Sequence, residues 1–200
     1  MNDSSCSSIP ALRGPVPLSH LFLHRFVHDG HTAVDATCGN GHDTLLLARL
    51  VGVSGHVWGF DIQQQAIAGT KRRVAEAELS SRVTLLQIGH EELAQHVTGP
   101  LQVVLFNLGY CPGGDRSIIT RPDTTCSALE QALQLLAAGG IVVVTVYPGH
   151  SGGAEEQSTV ESWAAGLEPR AYHCWRMGQT NVSQEAPYLL LVQKALCHAA

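Results

Sequence analysis

The sequence is poor in the features that mark several protein classes. Only 14% of its residues are charged and 6% aromatic, and 12 Lys+Arg stand against 17 Asp+Glu, a formal charge of −5 with histidine neutral. No field of one sign covers such a surface, so indiscriminate capture of polyanions is excluded and any nucleic-acid contact needs a local basic patch. Cysteine is sparse and scattered: Cys6, Cys38, Cys111, Cys126, Cys174 and Cys197 form no C-x-x-C or knuckle spacing. That speaks against a zinc knuckle and a disulfide scaffold and fits a reducing compartment. No run reaches the roughly 18 consecutive apolar residues of a membrane span. Repeats of fixed period are also absent. The first seventeen residues, MNDSSCSSIPALRGPVP, lack the apolar core of a secretory signal. They read as a loose arm, 1–17, ahead of one domain over 18–200. A soluble cytoplasmic protein is expected, with organelle targeting by the arm left open.

With 44% apolar residues, 200 positions suffice to bury one sizeable core. Short β-rich apolar runs alternate with helical patterns, which is the rhythm of an α/β fold. Strands are expected at 31–36, 56–60, 82–87, 101–107, 140–147, 170–176 and 187–194, with helices near 18–28, 42–51, 63–79, 90–97, 123–137 and 154–165. Runs such as VVLF and IVVVTV are apolar at consecutive positions, as central parallel strands covered on both faces must be. Ligands of such sheets bind at the carboxyl ends of the strands, where the strand order reverses.

The unusual polar clusters all fall at those ends. VDATCGNGHDT (34–44) follows the first strand, Asp61 to Gln63 the second, Gly89 and His90 the third, NLGYCPGGD (107–115) the fourth and YPGH (147–150) the fifth. Gly39 and Gly41 suit positive φ or close approach of backbone to ligand, and the amides that follow open a helix. A dinucleotide fingerprint would need a third glycine where Thr44 stands, and Asp35 would repel a pyrophosphate. The carboxylate and ammonium of S-adenosylmethionine suit this mixture of amides and acid better. Asp61, about 20 residues on, has two oxygens for the ribose hydroxyls, a feature shared with nicotinamide enzymes.

Asn107 and the Leu108 carbonyl offer neutral acceptors to a nucleophilic nitrogen, with Tyr110 walling the pocket. An amide suits that task, because a carboxylate would stabilise the unreactive ammonium. His20, His24 and His28 recur at helical spacing with His31 beyond, but no acid or cysteine accompanies them at ligand spacing and the intervening residues look like core packing, so no metal site is expected. The run KRR (71–73) reads as a solvated helix face; Arg116 and Arg121, beside the pocket, are better RNA contacts.

HRFVHDGHTAVDATCGNGHDTLLLA, GFDIQQQAI, FNLGYCPGGDRSIIT, VVVTVYPGHSGGAEE and NVSQEAPYLLLVQK together resemble the MnmM (YtqB-like) methyltransferases, formerly called rRNA methylases. The resemblance covers nearly the whole chain after residue 20. It implies a Rossmann-like class I methyltransferase fold, a seven-stranded, mostly parallel sheet with its last strand antiparallel. It also implies methyl transfer from S-adenosylmethionine to the aminomethyl nitrogen of 5-aminomethyl-2-thiouridine at the wobble position, with the tRNA anticodon stem-loop as partner. Cofactor contacts carry over to Asn40, Gly41 and His42 beside Asp35, to Asp61 and Gln63 at the ribose, and to Gly89 and His90 nearer the adenine. Cys38, Gln193 and the extended amino terminus depart from the family pattern.

The reaction asks for alignment and a deprotonated amine. A free alkylammonium has a pKa of roughly 10, so the site must lower it or remove its proton. His150 is the candidate base, with Tyr147 beside it to orient the base or stack on the pyrimidine. The alternatives are an N-methyltransferase for rRNA or a small amine, and a nicotinamide-dependent or catalytically silent nucleotide-binding domain. A homodimer is left open.

Overall fold

Alternation along the central strands decides how the layers form. Ala33, Val103 and Val143 face one side of the sheet while Val34, Val104 and Val144 face the other, and all six are fully buried. Both faces therefore need a helical cover. The computed structural model describes residues 11–115 and 117–196. Its elements run α1 (Pro15–Phe26), β1 (Thr32–Asp35), α2 (His42–Leu50), β2 (His56–Phe60), α3 (Gln64–Glu76), β3 (Val83–Leu86), α4 (Leu93–His96), β4 (Leu101–Asn107), α5 (Pro122–Leu135), β5 (Leu136–Val146), α6 (Gly153–Ala165), β6 (Tyr172–Met177) and β7 (Tyr188–Lys194).

The sheet has seven strands in the order β3-β2-β1-β4-β5-β7-β6. β1 to β5 pair in parallel, and β7 lies antiparallel between β5 and β6. This is the expected class I methyltransferase topology. One cover packs Leu23, Leu47 and Val74 of α1 to α3; the other packs Leu93, Leu129 and Val160 of α4 to α6. Each such fully buried side chain contributes about 1.5–3 kcal/mol. The chain runs outward from β1 to β3, then returns to place β4 on β1's other side. The strand order thus reverses between β1 and β4, and a crevice opens beyond their carboxyl ends.

Several boundaries differ from the sequence reading by a few residues, and three of the differences are informative. α1 starts at Pro15 rather than 18, because proline in a first turn has no N–H to leave unbonded. The expected helix at 90–97 is a 3₁₀ turn, His90–Glu92, followed by the short α4. β5 begins at Leu136, directly after α5; Leu136 pairs with Leu101 before the register shifts, and Gly139 takes a positive φ of 77° within that irregular stretch. Arg116, Cys6 and Cys197 lie outside the described residues. Among those described, no helix is long and apolar enough to cross a membrane.

Candidate functional site

A cavity of about 1000 Å³ opens at the carboxyl ends of β1, β2, β3, β4 and β5, and every one of the five polar clusters contributes to its wall. Its first wall is the turn 37–43. Gly39 and Gly41 have φ values of 45° and 76°. A side chain on Gly41 would collide with Thr70 of α3, at 2.6 Å from its Oγ1. The close approach that requires glycine here is thus between α2 and α3, and Thr70 in turn donates its hydroxyl to the Gly39 carbonyl at 2.9 Å. Asn40 donates its side-chain N–H to the Pro112 carbonyl at 2.8 Å, tying this turn to the 109–115 loop. His42 lines the cavity from the start of α2.

Asp61 closes the turn. Its Oδ2 accepts the Gly39 N–H and its Oδ1 the Gln63 N–H, both at 2.9 Å. A carboxylate has about four acceptor sites, so each oxygen keeps a lone pair for a ligand. Burial pushes the Asp61 carboxyl above the usual range, and the two amides draw it partly back. Gln63 lines the cavity beside it.

Asp35 is placed differently from the sequence reading. It is fully buried and absent from the cavity wall, where it accepts the Thr44 hydroxyl at 2.6 Å and the Thr37 N–H at 3.3 Å. It supports the turn from beneath. Burial and the neighbouring Asp43 raise its pKa to about 7.

Gly89 and His90 form the adjoining wall. His90 is buried, and burial holds its pKa below the ordinary histidine value. Its Nδ1 lies 3.2 Å from the Ala36 carbonyl, so Nδ1 carries the hydrogen and donates it. Nε2 is then an acceptor, buried and without a hydrogen-bond partner among the described residues.

Beyond β4 stand the groups expected on the substrate side. The Asn107 backbone N–H donates to the Thr37 hydroxyl at 2.7 Å, and its side-chain Nδ2 donates to Asp43 Oδ2 at 2.8 Å. Asp43 Oδ1 meets His20 Nε2 at 2.7 Å. Leu108 is buried, with its N–H on the Thr145 carbonyl. Tyr110 bridges to Ile119 and lies edge-on to His150, ring centroids 6.2 Å apart. His150 Nδ1 donates to the Ser151 carbonyl at 2.9 Å, which leaves Nε2 as the acceptor, buried beside Gly109 and without a hydrogen-bond partner among the described residues. Tyr147 is half-buried, and burial together with Asp43 raises its phenol pKa. Arg121 lines the cavity but its guanidinium is held by Asp123 at 2.9 Å.

Three site residues escaped the sequence reading. The sequence offers His20 only as part of a histidine pattern that is set aside as a metal site, yet it stands on the cavity wall with Val16, one turn away on the same face. Asp43 passed as part of the turn. Glu156, the second of two adjacent glutamates, is buried and accepts the hydroxyls of Thr120 and Thr125 at 2.7 and 2.8 Å. Thr120 in turn clamps Gly109 by two hydrogen bonds, so Glu156 fixes the loop that carries Tyr110. Only spacing offered a signal: Val16 and His20 at i and i+4, and a Thr-rich segment facing an acid.

A family model described as "Putative rRNA methylase" matches residues 57–193. The tRNA (mnm(5)s(2)U34)-methyltransferase, chloroplastic, of Arabidopsis thaliana is 37% identical over 187 residues, spanning 88% of this chain and 68% of that protein. A Clostridium thermocellum structure of the same rRNA methylase description is 42% identical with a TM-score of 0.89, covering 92% of this chain and 100% of its own. SMU.1697c of Streptococcus mutans, solved in complex with SAH, is 32% identical with a TM-score of 0.84, covering 92% of this chain and 99% of its own. On the match to residues 57–193 and the identity to a relative of which it spans more than two thirds, the chain belongs to this rRNA methylase family.

Proposed function

We propose that the protein transfers a methyl group from S-adenosylmethionine to the aminomethyl nitrogen of 5-aminomethyl-2-thiouridine at the wobble position of tRNA. The observation that carries this reading is the shared cavity, which brings a glycine turn, a ribose-type acid and the neutral acceptor of Asn107 to one rim. The 37% identical Arabidopsis relative bears the name tRNA (mnm(5)s(2)U34)-methyltransferase, and the methylaminomethyl nucleoside in that name is the product this transfer would give, which supports the reading.

The residues present fit the cofactor. Asp61 retains a lone pair on each oxygen for ribose hydroxyls, and the unpartnered Nε2 of buried His90 is an acceptor suited to an adenine amino group. The start of α2 would receive the carboxylate end beside Gly39 and Gly41, whose own N–H groups are already given to Asp61 and to the Cys38 carbonyl. When bound, S-adenosylmethionine supplies a sulfonium methyl group and a positive charge that disfavours a neighbouring ammonium.

The chain's own side chains then have distinct tasks. Asn107 Oδ1 accepts an N–H of the amine and orients its lone pair without favouring the charged form. His150 Nε2, whose other nitrogen is committed to Ser151, takes the proton that the ammonium must lose. Tyr110 and Tyr147 offer flat faces to a single base, the usual way in which unpaired RNA is held. Arg121 is already paired with Asp123, so it adds little to phosphate binding, and with few such contacts the fall of affinity with salt should be shallow. Asn40, Gly41, His42, Gln63 and Gly89 line the cavity on the cofactor side, above the buried Asp35 that supports the turn. Mass spectrometry of tRNA nucleosides from cells lacking the protein tests the reading: unmethylated aminomethyl nucleoside should accumulate, and an unchanged profile would refute it. Fractionation of cells that contain the protein tests the cytoplasmic assignment, which competes with an organelle address of the kind named for the chloroplastic relative.

A further inference from the structure

His20 and Asp43 stand outside the tasks assigned so far, although both line the cavity. They come from distant elements, α1 and the first turn of α2, and meet Asn107 at the end of β4. The Asp43 carboxylate bridges the two neighbours, Oδ1 to His20 Nε2 at 2.7 Å and Oδ2 to Asn107 Nδ2 at 2.8 Å. Its side chain is 13% exposed, so these bonds are largely shielded from water and stronger than surface pairs.

An asparagine amide has two faces of opposite chemistry, and a half-turn about its last bond exchanges them. At Asn107 that half-turn would set Oδ1 against the Asp43 carboxylate, acceptor against acceptor. The carboxylate therefore decides which end of the amide faces the cavity, and it leaves Oδ1 there. Asp43 could itself turn away were it not held from its other side by His20. Since a carboxylate oxygen can only accept, His20 Nε2 carries a hydrogen in this contact.

We infer that His20 and Asp43 are positioning residues, which hold the Asn107 amide with its oxygen toward the substrate nitrogen and its N–H₂ away. This rests on the proposed amine substrate only for what the oxygen meets; the orientation itself is a property of the unliganded protein. The pair also explains why α1 reaches over the rim: Val16 and His20 bring its cavity-facing side to the start of α2.

The test uses the full chain and two independent readouts. The sequence contains four asparagines, Asn2, Asn40, Asn107 and Asn181, so a protein labelled with 15N at asparagine gives few side-chain amide signals, and Asn107→Ala identifies those of Asn107. In the wild type these protons should exchange slowly and be shifted by the carboxylate; in Asp43→Ala they should move to solvent-exposed positions. In methyl transfer to tRNA bearing the aminomethyl group, Asp43→Ala should lower kcat about tenfold to a hundredfold, the range for losing a hydrogen bond to a charged group, with a much smaller change in Kd for S-adenosylhomocysteine. His20→Ala should lose part of kcat, and His20→Gln, which can place an N–H where Nε2 was, should regain most of it. Asn107 signals unmoved by Asp43→Ala, or kcat unmoved in active enzyme, would overturn the inference. If wild type is inactive on this tRNA while the Asn107 signals still move, the orientation stands and the substrate reading alone falls.

Discussion

Asp61 holds two backbone amides and still has acceptor capacity on each oxygen, so its removal should be felt by the ligand before the fold. Calorimetry should show Asp61→Ala weakening S-adenosylmethionine binding by about 1.5–3 kcal/mol, one charge-assisted hydrogen bond or more; unchanged affinity would place the ribose elsewhere. His150 makes a kinetic prediction. If Nε2 removes the proton, His150→Ala should lose most activity at neutral pH and regain part of it as rising pH deprotonates the amine unaided. A flat pH response would leave alignment as its whole contribution. Asp35 makes a stability prediction. Its folded pKa of about 7 lies above the ordinary aspartate value of 3.8, so between those values the folded state binds the proton that the unfolded chain has released. Stability should fall as pH rises through that window and level off above it. Denaturant titrations of Asp35→Asn should show a flatter profile there, because the residue no longer titrates.

At the scale of elements, the substrate side is a loop held by one buried acid. Glu156 of α6 takes hydroxyls from Thr120 and Thr125, and Thr120 grips Gly109 at both its N–H and its carbonyl. Glu156→Ala leaves the buried Thr125 hydroxyl and the half-buried Thr120 hydroxyl without that acceptor, at a cost of about 1–3 kcal/mol for the buried one where it finds no other partner. Hydrogen exchange at the Gly109 and Thr120 amides should quicken, and kcat should drop with little change in cofactor Kd. Equal loss of cofactor binding would show that Glu156 supports the whole rim. The sequence made the strands of this rim legible because consecutive apolar residues in β4 and β5 admit few other readings. It left Glu156 hidden, since adjacent glutamates at 155 and 156 look alike until α6 turns one inward. His20 was hidden for a related reason: apolar neighbours at 21–23 and 26–27 made its helix look like core throughout, whereas that helix also presents a polar side to the cavity.

For the whole molecule, chain order and strand order together explain why distant motifs serve one site. β1 and β4 are neighbours although about 70 residues separate their ends, as the bond between Thr37 and Asn107 (|i−j| of 70) records. That adjacency turns five strand-end clusters into one cavity, and it was readable as soon as the α/β rhythm was recognised. Side-chain pairing across the rim was not, because Asp35 and Asp43 carry the same chemistry in sequence and differ only in burial: one supports the floor, the other faces the cavity. The most direct measurement is methyl transfer from labelled S-adenosylmethionine to tRNA bearing 5-aminomethyl-2-thiouridine, run beside the same tRNA without the aminomethyl group and beside intact ribosomal RNA. Label should enter the first substrate alone, at the wobble nucleoside; label confined to ribosomal RNA, or equal on tRNA lacking the amine, would contradict the proposed function.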